Sequence, residues 1–228
     1  MNLKSFGCSF IFGSDLHDCI SNSTKPKESL STWPAHLAKQ LNYNYQCYAR
    51  PAAGNLQIAE KIINQSAINQ DGFYVISWSW IDRFDYYNQP LHPWQPWTTL
   101  TPGNLDHLTE VYYKTLHSEY RDKVSNLMYI KLAIDTLTQK SIPFIMTYMD
   151  KLLFDRKYNT TSAVIDLQDY VEPYMTQFEG KTFLDWSRDH GYPESPGWHP
   201  LEQAHSEGAK LMRQAFDKQN TNDRLHHA

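Results

Sequence analysis

Cysteine is scarce in this chain: Cys8, Cys19 and Cys47 are the whole set, and no two of them stand at a metal-ligand spacing. A sparse, odd number of thiols argues against a disulfide framework and for reduced cysteines. Long apolar runs are also missing, since none approaches the roughly 18 residues that a membrane-spanning helix needs. The opening residues Met1 to Phe6 lack the charged start and extended apolar core of a secretory leader. The expectation is a soluble, cytoplasmic protein with no membrane contact. No basic run occurs, and the formal net charge of −4 speaks against binding nucleic acid through an overall positive field. No repeat of solenoid period and no low-complexity block interrupts the chain. Neither a metal nor a cofactor is expected.

What is present fits one substantial core. The 228 residues are 41% hydrophobic, enough for one α/β domain over 1–218, with a polar, flexible tail expected at 219–228. Near the start, the apolar run Leu3 to Phe6 meets Gly7-Cys8-Ser9 and continues into Phe10-Ile11-Phe12-Gly13-Ser14-Asp15. A strand that breaks at a glycine and leads into a helix sets a serine hydroxyl at the carboxyl edge of a sheet. Ser9 is therefore a candidate nucleophile, with neighbouring backbone N–H groups able to face a reacting carbonyl. Near the other end, Ser195-Pro196-Gly197-Trp198-His199-Pro200 precedes a helical pattern. A histidine between a glycine turn and a proline suited to a helix's first turn is rigidly held, as a general base should be.

Together these ends resemble the SGNH, or GDSL-type, hydrolase family. Its nucleophilic serine follows the first strand in a Gly-Asp-Ser block, and its histidine precedes the last helix in an Asp-x-x-His-Pro block. Gly7-Cys8-Ser9 and Pro196-Gly197-Trp198-His199-Pro200 match them, with Cys8 in place of the first aspartate and Pro196 where the triad carboxylate would stand. The resemblance implies a flavodoxin-like three-layer α/β sandwich with a central parallel sheet. It also implies acyl transfer by Ser9 and His199. Cys8, the neighbouring thiol, is the rival nucleophile and otherwise a buried filler. For the missing carboxylate, Glu194 is nearest, followed by Asp189 and Asp185, with a backbone carbonyl of the Ser195–Gly197 turn as the alternative. His205 reads as a helix or pocket residue. The family's oxyanion donors carry over to the N–H groups of Ser9 and Gly54, with Ser79 at the position of the family's asparagine and Asn55 as an alternative donor.

The central segment supplies another helix–strand unit, with helical apolar spacing over Leu127 to Gln139 and a buried strand over Ile142 to Tyr148. Between about 81 and 108 lies a segment rich in proline and aromatic residues, expected to fold over the sheet's carboxyl edge as a rim. Arg83, Trp94 and Trp97 are its candidate substrate contacts, Arg83 pairing either with a substrate carboxylate or with Asp82 or Asp85. The expected substrate is a small-molecule or glycan ester, O-acetylated carbohydrate ahead of lipid. An acyltransferase and a catalytically silent glycan- or protein-binding module remain the alternatives. Oligomeric state is not legible in the sequence.

Overall fold

Strand β1, Asn2–Phe6, turns buried after its first residue and leads through Gly7 into a one-turn helix α1, Ser9–Phe12. Gly7 is required by close approach: a Cβ there would meet Ile11 Cγ1 at 2.5 Å and the Ser77 carbonyl at 3.1 Å. Gly13, with φ 81°, ends α1 in the left-handed conformation, and its N–H donates to the Ser9 carbonyl. The computed structural model describes residues 1–20, 26–87 and 97–226, with side chains as far as 218.

Helix α2, Trp33–Leu41, starts on a proline-containing turn and returns the chain to strand β2, Asn44–Cys47. Helix α3, Asn55–Ile68, precedes the fully buried strand β3, Phe73–Trp78. Two short strands, β4 (Phe84–Tyr87) and β5 (Trp97–Leu100), pair antiparallel. Helices α4, His107–Thr115, and α5, Glu119–Gln139, lead to strand β6, Phe144–Tyr148. Then come a 3₁₀ turn at Lys151–Phe154 and helices α6 (Ser162–Val171), α7 (Phe183–Asp189) and α8 (Glu202–His226). The 81–108 segment therefore contributes a β-hairpin, and the expected tail is helical as far as His226. The Arg213–Asp217 pair, four residues apart, supports the turn before it.

The main sheet has the order β2-β1-β3-β6, all parallel. Ser5 of β1 sits opposite Cys47 on one side and Val75 on the other, and Val75 in turn opposite Ile145. A parallel bridge between Met146 and Met175 extends the sheet by one residue beyond β6. Helices flank the sheet in a three-layer α/β arrangement, α2 against α8 and α3 against α5. Burial on both faces accounts for the continuous apolar run of β3, where alternation would mark a half-exposed strand. The connection leaving β1 goes to one neighbour, β2, and the chain returns to the other, β3. The crevice beyond the carboxyl ends at such a switch point is where α/β sheets bind ligands. The end of β1 delivers Ser9 there. No helix among the described residues is long and apolar enough to cross a membrane.

Candidate active site

Ser9 opens α1, so its N–H has no acceptor within the helix. The Ser9 Oγ lies 2.8 Å from His199 Nε2. His199 sits in a tight loop in which its own carbonyl accepts from the Ser195 N–H at 2.9 Å, and its N–H donates to Ser195 Oγ at 3.2 Å. The other ring nitrogen, Nδ1, faces Asp15 Oδ2 at 2.7 Å. A carboxylate only accepts, so Nδ1 carries the proton and the Nε2 lone pair faces the Ser9 hydroxyl. Asp15 is held from a second direction by the Ser195 hydroxyl, which donates to Oδ2 at 2.7 Å. That hydroxyl, together with the hydrogen bond and charge of His199, holds the Asp15 pKa below the usual carboxylate range against the opposing effect of burial.

Asp15 thus occupies the position at which the sequence points to Glu194. Glu194 is instead gripped by Arg188, whose Nε and Nη2 donate to its two oxygens at 2.8 and 3.1 Å. A bidentate fork of this kind leaves the carboxylate no freedom to serve the imidazole. Asp189 pairs with Lys181, and Asp185 with Thr182 and Lys151. The signal that leads to Asp15 is Gly13, which stops α1 after one turn. Asp15 itself then takes a left-handed φ of 72°, and the chain reverses to bring residue 15 back beside residue 9.

Gly54 is not turned toward Ser9. Its N–H donates to Asp85 Oδ1 at 3.0 Å, and Asp85 also accepts from the Gln57 N–H at 3.0 Å and from the Thr99 hydroxyl at 2.6 Å. The hairpin carboxylate caps the start of α3 and uses up the donor that the family comparison assigns to an oxyanion. Ala52, two residues earlier, lines the Ser9 cavity. It has a φ of 62° in a turn closed by the Ala53 N–H donating to the Arg50 carbonyl at 3.2 Å. The Ala52 N–H finds no acceptor among the described residues.

Asn55 is likewise committed to the fold. Its Nδ2 donates to the Ser79 carbonyl at 3.1 Å and to Asn126 Oδ1 at 2.7 Å, while its Oδ1 accepts from the Ser79 N–H at 2.6 Å. The amide staples the end of β3 to α3 and α5. Ser79 is buried, and its hydroxyl accepts from Arg83 Nη1 at 2.8 Å. Arg83 lines the cavity, donates also to the Ala53 carbonyl at 3.0 Å, and lies over the Trp80 ring at 4.8 Å. Neither Asp82 nor Asp85 forms an ion pair with it. Trp97 packs edge-on to Tyr87, its carbonyl accepts from Arg50 at 2.8 Å, and it does not line the cavity. Trp94 lies outside the described residues. The aromatic walls are Phe10, Trp80 and Trp198 instead. Cys8 is fully buried. His205 is buried as well, accepting from the Trp33 N–H at 3.0 Å, and burial lowers its pKa to about 3.

Ser9, Asp15 and His199 open on a cavity of about 760 Å³, with Ala52, Asp82, Arg83 and Arg188 around it. Set against known proteins, no family profile matches the chain, and no curated protein matches its sequence. Solved structures do resemble it. A protein of the G-D-S-L lipolytic family from Desulfitobacterium hafniense DCB-2 superposes with a TM-score of 0.50 at 10% identity, covering 93% of this chain and 98% of its own. The psychrotrophic esterase EstA from Pseudoalteromonas sp., in a form inhibited by monoethylphosphonate, gives a TM-score of 0.55 at 6% identity, covering 96% and 98%. These likenesses define the fold, which is that of the SGNH/GDSL-type hydrolases.

Proposed function

We propose that the protein is a serine esterase in which Ser9, His199 and Asp15 act as nucleophile, base and orienting carboxylate. The observation that carries this reading is the unbroken relay from Asp15 through His199 to Ser9, at 2.7 and 2.8 Å, on the wall of an open cavity. Ser9 Oγ attacks the ester carbonyl as its proton passes to His199 Nε2. Asp15 stabilises the imidazolium so formed. The negative charge that develops on the carbonyl oxygen is received by the Ser9 and Ala52 N–H groups, with the Arg83 guanidinium beside them. The imidazolium then protonates the departing alcohol, leaving an acyl group on Ser9. Water, deprotonated by the same histidine, releases the acid and restores the serine.

The substrate class is a carboxylic ester, O-acetylated carbohydrate ahead of lipid, because the cavity joins charged and hydroxyl-bearing side chains to aromatic faces. An acyltransferase would share every step up to the acyl-enzyme and differ only in the final acceptor. The silent-module alternative rests on the proline at position 196 and on Ser79 at the position of the family's asparagine; Asp15 beside His199 supports the enzyme reading on the first of these points.

Labelling with a fluorophosphonate and mapping the adduct by mass tests the assignment. The expected adduct is on Ser9, absent in Ser9→Ala. A folded wild-type protein that takes no adduct and does not hydrolyse p-nitrophenyl acetate would overturn it.

A further inference from the structure

Asp82 borders two cavities. It lines the one that holds Ser9, and with Pro102 it also lines a second of about 570 Å³ whose walls include Tyr113, His117 and Tyr158. Its backbone is fixed on all sides. The Tyr113 hydroxyl donates to the Asp82 carbonyl at 2.6 Å, the Ile81 N–H donates to Asp150 at 3.0 Å, and Arg83 is tied to Ala53 and Ser79. Yet the Asp82 carboxylate receives no hydrogen bond from any described residue.

Its acidic neighbours differ. Asp85 accepts from the Gly54 and Gln57 N–H groups and from Thr99, and Asp150 accepts from the N–H groups of Ile81 and Leu152. Asp82 is only half-buried, so its carboxylate oxygens reach the cavities with their acceptor sites open to a ligand. Burial, reinforced by the charges of Asp150 and Asp122, pushes its pKa up, with Arg83 opposing.

We propose that Asp82 is the specificity-determining residue for the alcohol half of the substrate, accepting hydrogen bonds from the hydroxyl groups of a polyhydroxylated ester such as an O-acylated sugar. The inference rests on the esterase reading of the Ser9 cavity. Adjacent hydroxyls present two donors to the two oxygens of a carboxylate, which itself only accepts. A cationic ligand is disfavoured because Arg83 and Arg188 line the same cavity. Trp198 offers an apolar face to the C–H surface of a sugar ring. Trp198 is 66% exposed and backed by Arg188 at 5.3 Å, so it stands as a ready platform.

The test compares 6-O-acetylglucose with p-nitrophenyl acetate, whose leaving group bears no free hydroxyls. In Asp82→Asn, nearly the same shape, the ratio of kcat/KM for the sugar ester to that for the nitrophenyl ester falls at least about tenfold, or about 1.4 kcal/mol. The melting temperature rises at the same time, because a charge disfavoured by burial and by Asp150 and Asp122 has gone; a carboxylate with only a structural role would lower it. An unchanged ratio overturns the proposal. A second measurement does not depend on turnover: 6-O-acetylglucose is titrated into Ser9→Ala protein and followed by tryptophan fluorescence. Adding Asp82→Asn weakens binding at least about fivefold, about 1 kcal/mol. Equal binding, or no saturable binding by Ser9→Ala, overturns the proposal. If the wild type hydrolyses neither ester while the binding difference holds, the esterase reading fails and recognition by Asp82 stands.

Discussion

Replacing Asp15 by asparagine separates the relay described above from the Glu194 alternative. Asparagine tolerates the left-handed φ of 72° at this position, so the backbone is retained. Asp15 Oδ2 accepts from both His199 Nδ1 and the Ser195 hydroxyl, so the substitution has two outcomes. With the amide oxygen in that place, both hydrogen bonds survive and the charge is lost. With the amide nitrogen there, the imidazole is driven to the tautomer whose Nε2 carries the proton and cannot accept from Ser9. Charge centres about 4 Å apart at an effective dielectric of about 20 attract by about 4 kcal/mol, close to three powers of ten in rate. The Asp15 side chain is 40% exposed, and solvent weakens that attraction, whereas the wrong tautomer costs up to about four powers of ten. The expected loss in kcat for p-nitrophenyl acetate is about two to four powers of ten, with the melting temperature near that of wild type. Glu194→Ala, measured in parallel, should stay within about threefold, since its carboxylate is held by Arg188. A loss below tenfold in Asp15→Asn, or a larger loss in Glu194→Ala, would refute the relay.

Ser9→Ala and His199→Ala should each remove nearly all turnover, and the double variant should be little worse than either, because nucleophile and base act as a unit; additive losses in steady-state assays would argue against it. His205 is neutral in the fold, its pKa lowered to about 3 against 6.5 when exposed. The unfolded chain therefore binds the extra proton as pH falls below about 6.5, and stability drops by up to about 1.4 kcal/mol per unit of pH. His205→Gln, which keeps an acceptor for the Trp33 N–H, should flatten urea midpoints between pH 7 and 5; an unchanged slope counts against this account. A Cβ at Gly54 would meet the Asp85 carboxylate at 2.6 Å. Gly54→Ala is therefore expected to cost about 1–3 kcal/mol by denaturant unfolding, and wild-type stability in that variant would contradict the packing described here.

The parts of the fold legible in the sequence are those written in local signals. The helical spacing before Gln139 and the apolar run ending at Tyr148 are local signals, and α5 and β6 lie over those residues. Ser9 and His199 were accessible because a glycine turn and a His-Pro turn are local, and the family order relates them; the structure sets them 2.8 Å apart. Asp15 was hidden by geometry. Its role requires a helix of one turn followed by a reversal, and a carboxylate six residues beyond a serine has no characteristic spacing. Gly54 is misleading for the opposite reason. Its local context suits an oxyanion donor, but its N–H is claimed by Asp85, 31 residues away on a hairpin whose packing no periodicity announces. Ser79 and Asn55 form a mutual staple that also depends on Asn126 of α5. The unsatisfied carboxylate of Asp82 is a property of what surrounds it, and only coordinates reveal it.

If Ser9 and Asp15 act as proposed, drawing both from one short segment has a consequence for how the site assembles. Ser9 and Asp15 are placed by β1, α1 and one turn, whereas the histidine arrives from 190 residues away. Ser195 and His199 both fasten onto Asp15, and Glu202 at the start of α8 takes the His17 N–H at 2.9 Å. The last loop and helix thus dock onto a prepared N-terminal half-site. Closing contacts of such long sequence separation carries a loop-closure entropy that local contacts do not. The Ser9 hydroxyl therefore has no base beside it until the chain's final elements have closed on its first ones. Under the proposed mechanism, hydrolysis would serve as a readout of completed topology, and local opening of the 194–200 loop would silence the serine while leaving the sheet intact.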